Sequence, residues 1–325
     1  ELLLKAGAKA TFRDPTSGLT PLHCAVSGGE FSAGPASAVA GRSHERKAIA
    51  VAKLLLEAGA DINASTSSGF SPLHLAVQKQ LPAMMKFLLE AGADPKSKNH
   101  NEETPFLLSV FLGGHECFDM LLEVVGQEGV LSSDIRGNTP MHYAVSFNKL
   151  ELFPKLMAAG ADLDARNKDG RSLFLQAVLA GQQQVATMLL QRNSNVLQDV
   201  DSDECTGLHL LCKDLIAGNE GPFHAMALFL LSNGVNAHAR DKHNCTALHY
   251  AAATGYAPLV SSIAWKMLKT LAFQEGSSAA SAGSMATEGG DGGGLMAFAS
   301  VCGIAPDLDL KEVVSGGGGG ASLVG

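Results

Sequence analysis

Residues 71–76 read SPLHLA, and residues 54–61 just upstream read LLLEAGAD. Both strings return along the chain. The first recurs as TPLHCA at 20–25 and TPMHYA at 139–144, with weaker copies TPFLLS at 104–109, SLFLQA at 172–177, TGLHLL at 206–211 and TALHYA at 246–251. The second recurs as LLLKAGA at 2–8, FLLEAGAD at 87–94 and KLMAAGAD at 155–162, with MLLQRNSN at 188–195 and FLLSNGVN at 229–236 as degenerate forms. The opening Ser or Thr stands at 20, 71, 104, 139, 172, 206 and 246, which sets intervals of 51, 33, 35, 33, 34 and 40. A steady period of this length signals stacked repeats. The two long intervals place their extra residues between the two strings, at 28–46 and 215–221, and an insertion at a fixed place in a repeat maps to a loop.

Each recurring residue has a local physical reason. A Ser or Thr before a helix accepts a hydrogen bond from an early backbone N–H, which stabilises the helix by about 1 kcal/mol. Pro in the first helical position has its φ already set and lacks a donor that would be orphaned anyway. The second string carries apolar residues at helical spacing, as in Val51, Leu54 and Leu55, and ends at Gly59, Gly92, Gly160 or Gly234, where a left-handed residue closes a helix. Gly18, Gly69, Gly137 and Gly170 stand two residues before the next Ser or Thr, as a tight turn requires. Each unit therefore reads as turn, short helix, loop, second helix, turn. The turn glycine is replaced by Glu102, Glu204 and Asn244, and the histidine by Leu107 and Leu175. Units three, five and six are expected to be less regular. Pro154, inside the second string's helix in unit four, is expected to kink it.

The T-P-L-H-x-A string, the LLLEAGAD string and the period of about 33 residues resemble the ankyrin repeat. The resemblance covers residues 1–265, as a leading half-repeat at 1–10 and seven repeats. It implies an all-α fold, an ankyrin-repeat solenoid of stacked helix pairs joined by β-turn or hairpin loops. The repeat region is expected to span 1–272, with a helix through Trp265 and Leu271 as the terminal cap. Residues 273–325, rich in Gly, Ser and Ala, are expected to form a disordered tail. Leu2, Leu3 and Leu4 lack the helix they would pack on, and the chain opens on Glu rather than Met. The expectation is a fragment whose natural chain extends upstream.

Residues 205–212, CTGLHLLC, raise the question of a metal site at Cys205, His209 and Cys212. Structural zinc wants four ligands, and no fourth is evident. Five of the eleven histidines, His23, His74, His142, His209 and His249, occupy one slot of the repeat. The resemblance implies a structural role for that slot, tying the capping hydroxyl to the backbone near the adjoining repeat. No metal and no cofactor are expected. The acids Asp199, Asp201, Asp203 and Glu204 lack the glycine and terminal Glu of a calcium loop and read as a solvated turn.

The composition excludes several functions. A formal charge of −8, from 24 basic and 32 acidic residues, argues against nucleic acid as the partner. Six cysteines dispersed over 325 residues fit reduced thiols and an intracellular protein, in the cytoplasm or else the nucleus. The sequons at Asn63 and Asn244 read as chance. Residues 246–265 carry no Asp, Glu, Lys or Arg, but His249, Gly255 and Pro258 interrupt them, so no membrane span is expected. No phosphate-binding loop, G-x-S-x-G elbow, H-E-x-x-H or kinase signature occurs, and the glycine runs at 289–294 and 316–320 read as flexible chain. The chain is not expected to be an enzyme.

In ankyrin repeats the turn tips and the exposed face of the first helix make most partner contacts. Carried onto this chain, those positions are Phe70, Gln78, Lys79, Glu103, Phe111, Leu112, Arg136, Asn138, Phe147, Arg171, Lys213 and His243, with Lys168, Leu179, Cys205, Asp214 and Lys242 beside them. Phe70, Phe111, Leu112, Phe147 and Leu179 are expected to form an apolar stripe. The functional expectation is a monomeric, non-catalytic scaffold that holds a partner protein. The alternative is a regulatory or substrate-recruiting segment of a larger kinase, ubiquitin ligase, acyltransferase or channel.

Overall fold

The structure, a computed structural model, describes residues 7, 9–27, 38–214 and 220–274. The leucines of the leading half-repeat, residues 28–37 and 215–219 of the two insertions, and the glycine-rich tail from 275 onward lie outside the described residues. The chain divides into two compact units, Glu1–Gln176 and Ala177–Gly325.

In the first unit, α1 (Pro21–Val26) pairs with α2 (Ala38–Glu57), and α3 (Pro72–Gln78) with α4 (Pro82–Glu90). α5 (Pro105–Leu112) pairs with α6 (His115–Val130). α7 (Pro140–Ser146) packs on a 3-10 turn, Leu150–Leu152, that leads into α8 (Phe153–Ala158). First helices stack on first helices, α1 on α3 on α5 on α7, and second helices likewise, α2 on α4 on α6. The unit ends within α9 (Leu173–Leu179). In the second unit α10 (Gln183–Arg192) runs into a 3-10 turn, Ser194–Gln198. α11 (Gly207–Lys213) then packs on α13 (Ala247–Thr254), and α12 (Glu220–Ser232) on α14 (Ala257–Gln274). Among the described residues there are no β-strands, only isolated bridges Arg166–Ser172 and Val200–Thr206 that close two turn tips.

The helices begin where the chemistry of the sequence says they should. Thr20, Ser71 and Thr104 are extended, and each side-chain hydroxyl accepts the backbone N–H three residues on. Proline follows each of them. The residue two places after the cap is buried in all seven repeats, at Leu22, Leu73, Phe106, Met141, Phe174, Leu208 and Leu248. Within each unit this shared register makes a core out of short helices that could not bury an apolar face alone. Each fully buried leucine there stabilises the stack by about 2 kcal/mol.

Three expectations need correction. Residues 38–46 are not loop: they form the first half of the 20-residue helix α2. Glu45 on that added length accepts the Met84 N–H at 3.0 Å, capping α4, whose own N-cap Leu81 has no side chain to do so. Pro154 does not kink a helix, because α8 begins at Phe153 and Pro154 sits in its first turn, where a missing N–H costs nothing. Irregularity also reaches beyond the expected units: the 3-10 start belongs to unit four. In unit three, Gly126, at φ 55 and ψ −146, breaks the helical path of α6.

The helix expected to run on past Trp265 is present, as Ala257–Gln274. Leu259, Ile263 and Met267 of α14 are buried, while Trp265 faces out. Gly255, at φ 70, separates α13 from α14, so residues 246–265 are two helices. Among the described residues no helix is long and apolar enough to cross a membrane.

Candidate protein-binding surface

The recurring histidines hold successive repeats together. In each of the five, Nδ1 accepts the backbone N–H of its own cap residue at 3.1–3.3 Å. The cap hydroxyl lies 2.8–2.9 Å from the same nitrogen and donates to it. An Nδ1 that accepts two hydrogen bonds leaves the proton on Nε2. Nε2–H then donates across to the next repeat: His23 to the Phe70 carbonyl, His74 to Glu103, His142 to Arg171 and His209 to Cys245, at 3.0–3.3 Å. Burial pushes the pKa of these four below the ordinary histidine value.

The turn tips are ordered by a residue the sequence reading missed. Asn99, Asp134, Asn167, Asp201 and Asp241 each stand five residues before a cap. Each Oδ1 accepts two backbone N–H groups of its own tip, as Asp134 does from Arg136 at 2.8 Å and Asn138 at 2.7 Å. The signal was available, since Asn or Asp recurs at the repeat period and these residues favour such turns. Tip joins tip through the backbone: Ser67 N–H donates to Ser17, His100 to Ser68, Ile135 to Asn101, Lys168 to Arg136 and Lys242 to Asp203, at 2.8–3.1 Å.

Cys205, His209 and Cys212 do not converge. Both nitrogens of His209 are engaged as above, Cys212 is buried in the core, and burial pushes its thiol up to about 12. Cys205 is fully buried, which removes it from the surface positions expected to meet a partner. Its Sγ accepts from Lys213 Nζ at 2.9 Å. Among the described residues no group of three or more His, Cys, Asp or Glu side chains is placed to hold a metal ion. Asp201 and Asp203 serve the tip, Asp201 as its acceptor and Asp203 through its backbone N–H and carbonyl.

Of the expected partner contacts, Gln78, Lys79, Phe111, Arg136, Phe147, Lys213 and His243 are exposed. Phe70, Glu103, Leu112, Asn138 and Arg171 are half-buried. The structure brings one subset together. Phe111 and Phe147 meet edge to face, with ring centroids 4.5 Å apart, and remain 39 % and 45 % exposed. Phe147 borders a groove of about 420 Å³ whose wall includes Glu103, Asp134, Arg136, Asn138 and Tyr143. The Tyr143 hydroxyl lies 3.1 Å from Glu103 Oε1 and 3.0 Å from Asp134 Oδ2. Its one proton can serve only one of them at a time. Burial, then the two carboxylates, push the phenol above its usual range. Phe70 instead packs on His74, and Gln78 and Lys79 lie outside the groove.

Three copies of a sequence model described as ankyrin repeats match residues 1–99, 82–167 and 107–200. The chain belongs to the ankyrin-repeat family. It is 37 % identical over 137 residues to the mouse palmitoyltransferase ZDHHC13, covering 42 % of this chain and 22 % of that protein. It is 31 % identical over 130 residues to the putative ankyrin repeat protein FPV223 of fowlpox virus, covering 40 % of this chain and 85 % of that one. Human Rabankyrin-5 is 28 % identical over 252 residues, covering 67 % of this chain and 21 % of its own length. The chain thus spans under a quarter of ZDHHC13 and of Rabankyrin-5. Among solved structures, the ankyrin repeat domain of Bcl-3 superposes with a TM-score of 0.53 at 25 % identity, covering 76 % of this chain and 98 % of that domain. Ankyrin repeats are generally protein-interaction modules, and the ankyrin reading of the histidine slot accounts for the ties described above.

Proposed function

We propose that this chain is a non-catalytic scaffold that captures a partner protein on its turn tips and the exposed face of its first helices, the concave face of an ankyrin stack. The observation that carries this reading is the Phe111–Phe147 pair, two large exposed rings in contact, of which Phe147 borders a polar groove. Aromatic side chains rimmed by polar groups are where binding energy concentrates. Residues 1–272 carry the function and the partner is another protein. The chain acts as a monomer, and its place is inside the cell, a reading supported by the five cysteines among the described residues, all of them free thiols.

The test is cross-linked capture from cells with wild-type chain and the Phe111→Asp and Phe147→Asp variants. Each variant loses the captured partner, by about thirtyfold in affinity for a hot-spot ring, with an unchanged thermal melt. Unfolding of both variants would show the rings to be core, and undiminished capture would place the binding surface elsewhere.

A second reading has one observation in its favour, the 137-residue match to ZDHHC13 at 37 % identity. In it, these repeats recruit substrates or regulate an acyltransferase domain carried on the same polypeptide. The reading frame of the natural gene distinguishes the two.

A further inference from the structure

Two repeats carry a tyrosine four residues after the cap, Tyr143 in the fourth and Tyr250 in the seventh. Both donate to the tip aspartate of their own repeat, Tyr143 to Asp134 Oδ2 at 3.0 Å and Tyr250 to Asp241 Oδ2 at 2.5 Å. The two sites then differ in one respect. At Tyr250 the chain supplies its own cation. Lys213 Nζ lies 4.6 Å from the centre of the Tyr250 ring, 3.4 Å from Asp241 Oδ2 and 2.9 Å from Cys205 Sγ. Tyrosine hydroxyl, tip carboxylate, aromatic face and ammonium form a closed set.

At Tyr143 the same set stands open. The residue matching Lys213, seven places after the preceding cap, is Phe111, and the residue matching Cys205, one place before that cap, is Glu103. The cation is absent and a second carboxylate has been added. Among the described residues no ion pair reaches Glu103 or Asp134. Their hydrogen-bond donors are neutral amides and one shared phenol: Asn99 Nδ2 serves Glu103 Oε2 at 2.7 Å, and Asn138 Nδ2 serves Asp134 Oδ2 at 3.0 Å. Arg136 stands on the groove wall and gives Asp134 its backbone N–H, but its guanidinium makes no ion pair with either acid. The groove of about 420 Å³ opens beside these groups, with the Phe147 ring on its wall and Phe111 packed against that ring.

We propose that this groove is a subsite for a lysine or arginine side chain of the partner protein, seated where Lys213 sits in the seventh repeat's equivalent. The partner's ammonium or guanidinium takes the Glu103 and Asp134 carboxylates and lies over the Tyr143 ring, and its aliphatic stem packs on Phe111 and Phe147. A cation is attracted by both a carboxylate and an aromatic face, and such a site gains most when partly shielded from water. The inference rests on the scaffold reading and names the chemistry of what the scaffold holds.

Phage-displayed random peptides selected on the full chain provide the test, with Phe111→Lys and Glu103→Gln as comparison proteins. Phe111→Lys installs the chain's own cation at the open site, copying the Lys213 arrangement. Expected is a selected family sharing one Lys or Arg, with affinity about tenfold lower for either variant and lost when that residue is replaced by citrulline or norleucine. Circular dichroism confirms that each variant is folded. Peptides that bind with no shared basic residue, and bind Phe111→Lys as well as wild type, would overturn this proposal while leaving the scaffold reading standing. Selection of no peptides, together with capture of no protein in cells, would overturn both.

Discussion

A buried imidazole whose two nitrogens are both engaged has one protonation state open to it. His23, His74, His142 and His209 accept at Nδ1 and donate at Nε2, and burial lowers their pKa values. The unfolded chain therefore binds protons at these residues that the folded chain refuses. The stability they contribute is complete above the ordinary histidine pKa of about 6.5 and is lost as pH falls below it. The expected outcome is an unfolding free energy, read by urea titration, that drops between about pH 7.5 and pH 5.5, by up to roughly 1.4 kcal/mol per pH unit for each histidine. A flat profile over that window would contradict the lowered histidine pKa values. Backbone strain gives a second residue-scale prediction. Glu102, Glu204 and Asn244 replace the turn glycine yet keep its left-handed backbone, at φ 58, 60 and 61. Glu102→Gly relieves that strain and is expected to stabilise by about 1 kcal/mol in urea titration. Gly69→Ala has the opposite effect, since its Cβ would lie 2.7 Å from the His100 backbone nitrogen, where the neighbouring tip docks. No side-chain adjustment relieves a clash with a main chain hydrogen-bonded in place. The histidine slot and the glycine turn were both legible in the sequence. That non-glycine residues would hold the same φ was not, because the bonds between tips impose it from outside the tripeptide.

At the scale of elements, the cap motif is local and the second helices are not. Ser or Thr, then Pro, starts α1, α3, α5 and α7 without help from anywhere else in the chain. By contrast α4 has no side-chain cap of its own and is capped by Glu45, 39 residues upstream. Glu45→Ala is expected to cost about 1 kcal/mol, read by urea denaturation, with amide exchange in 82–88 rising most. If exchange rose evenly along the chain, the contact would not be a cap. The insertion that carries Glu45 was visible as a long interval. Its helical half was not assigned, because its apolar residues are spaced no more clearly than those of a loop. The candidate surface was legible in part. Phe111 and Phe147 came from repeat position alone, while Tyr143 and Asp134 did not, since their pairing joins a helix to a turn nine residues back.

Within each of the two units, helix pairs bury their faces on neighbouring pairs, and a single repeat has no independent core. Damage should then stay near where it is made. Ile263 of α14 is fully buried, and Ile263→Ala is expected to cost roughly 2–5 kcal/mol. Amide protection should fall in 247–270 and persist in 72–90, as hydrogen exchange would show. Uniform loss across both regions would mean that the chain unfolds as one cooperative globule.

The repeat, its helix pairs and the slot shared by five histidines follow from the sequence by itself, because caps, prolines and a shared apolar register act within a few residues or recur at a fixed period; the role of that slot was implied by the family resemblance. Which side chains face each other across repeats was decided by tertiary structure. Phe111 meets Phe147, one phenol stands between two carboxylates, and Lys213 closes in one repeat pair the site that Phe111 leaves open in another. Those relations depend on how far one helix pair is rotated and shifted on the next, a quantity set by packing over many residues and written in no single one of them.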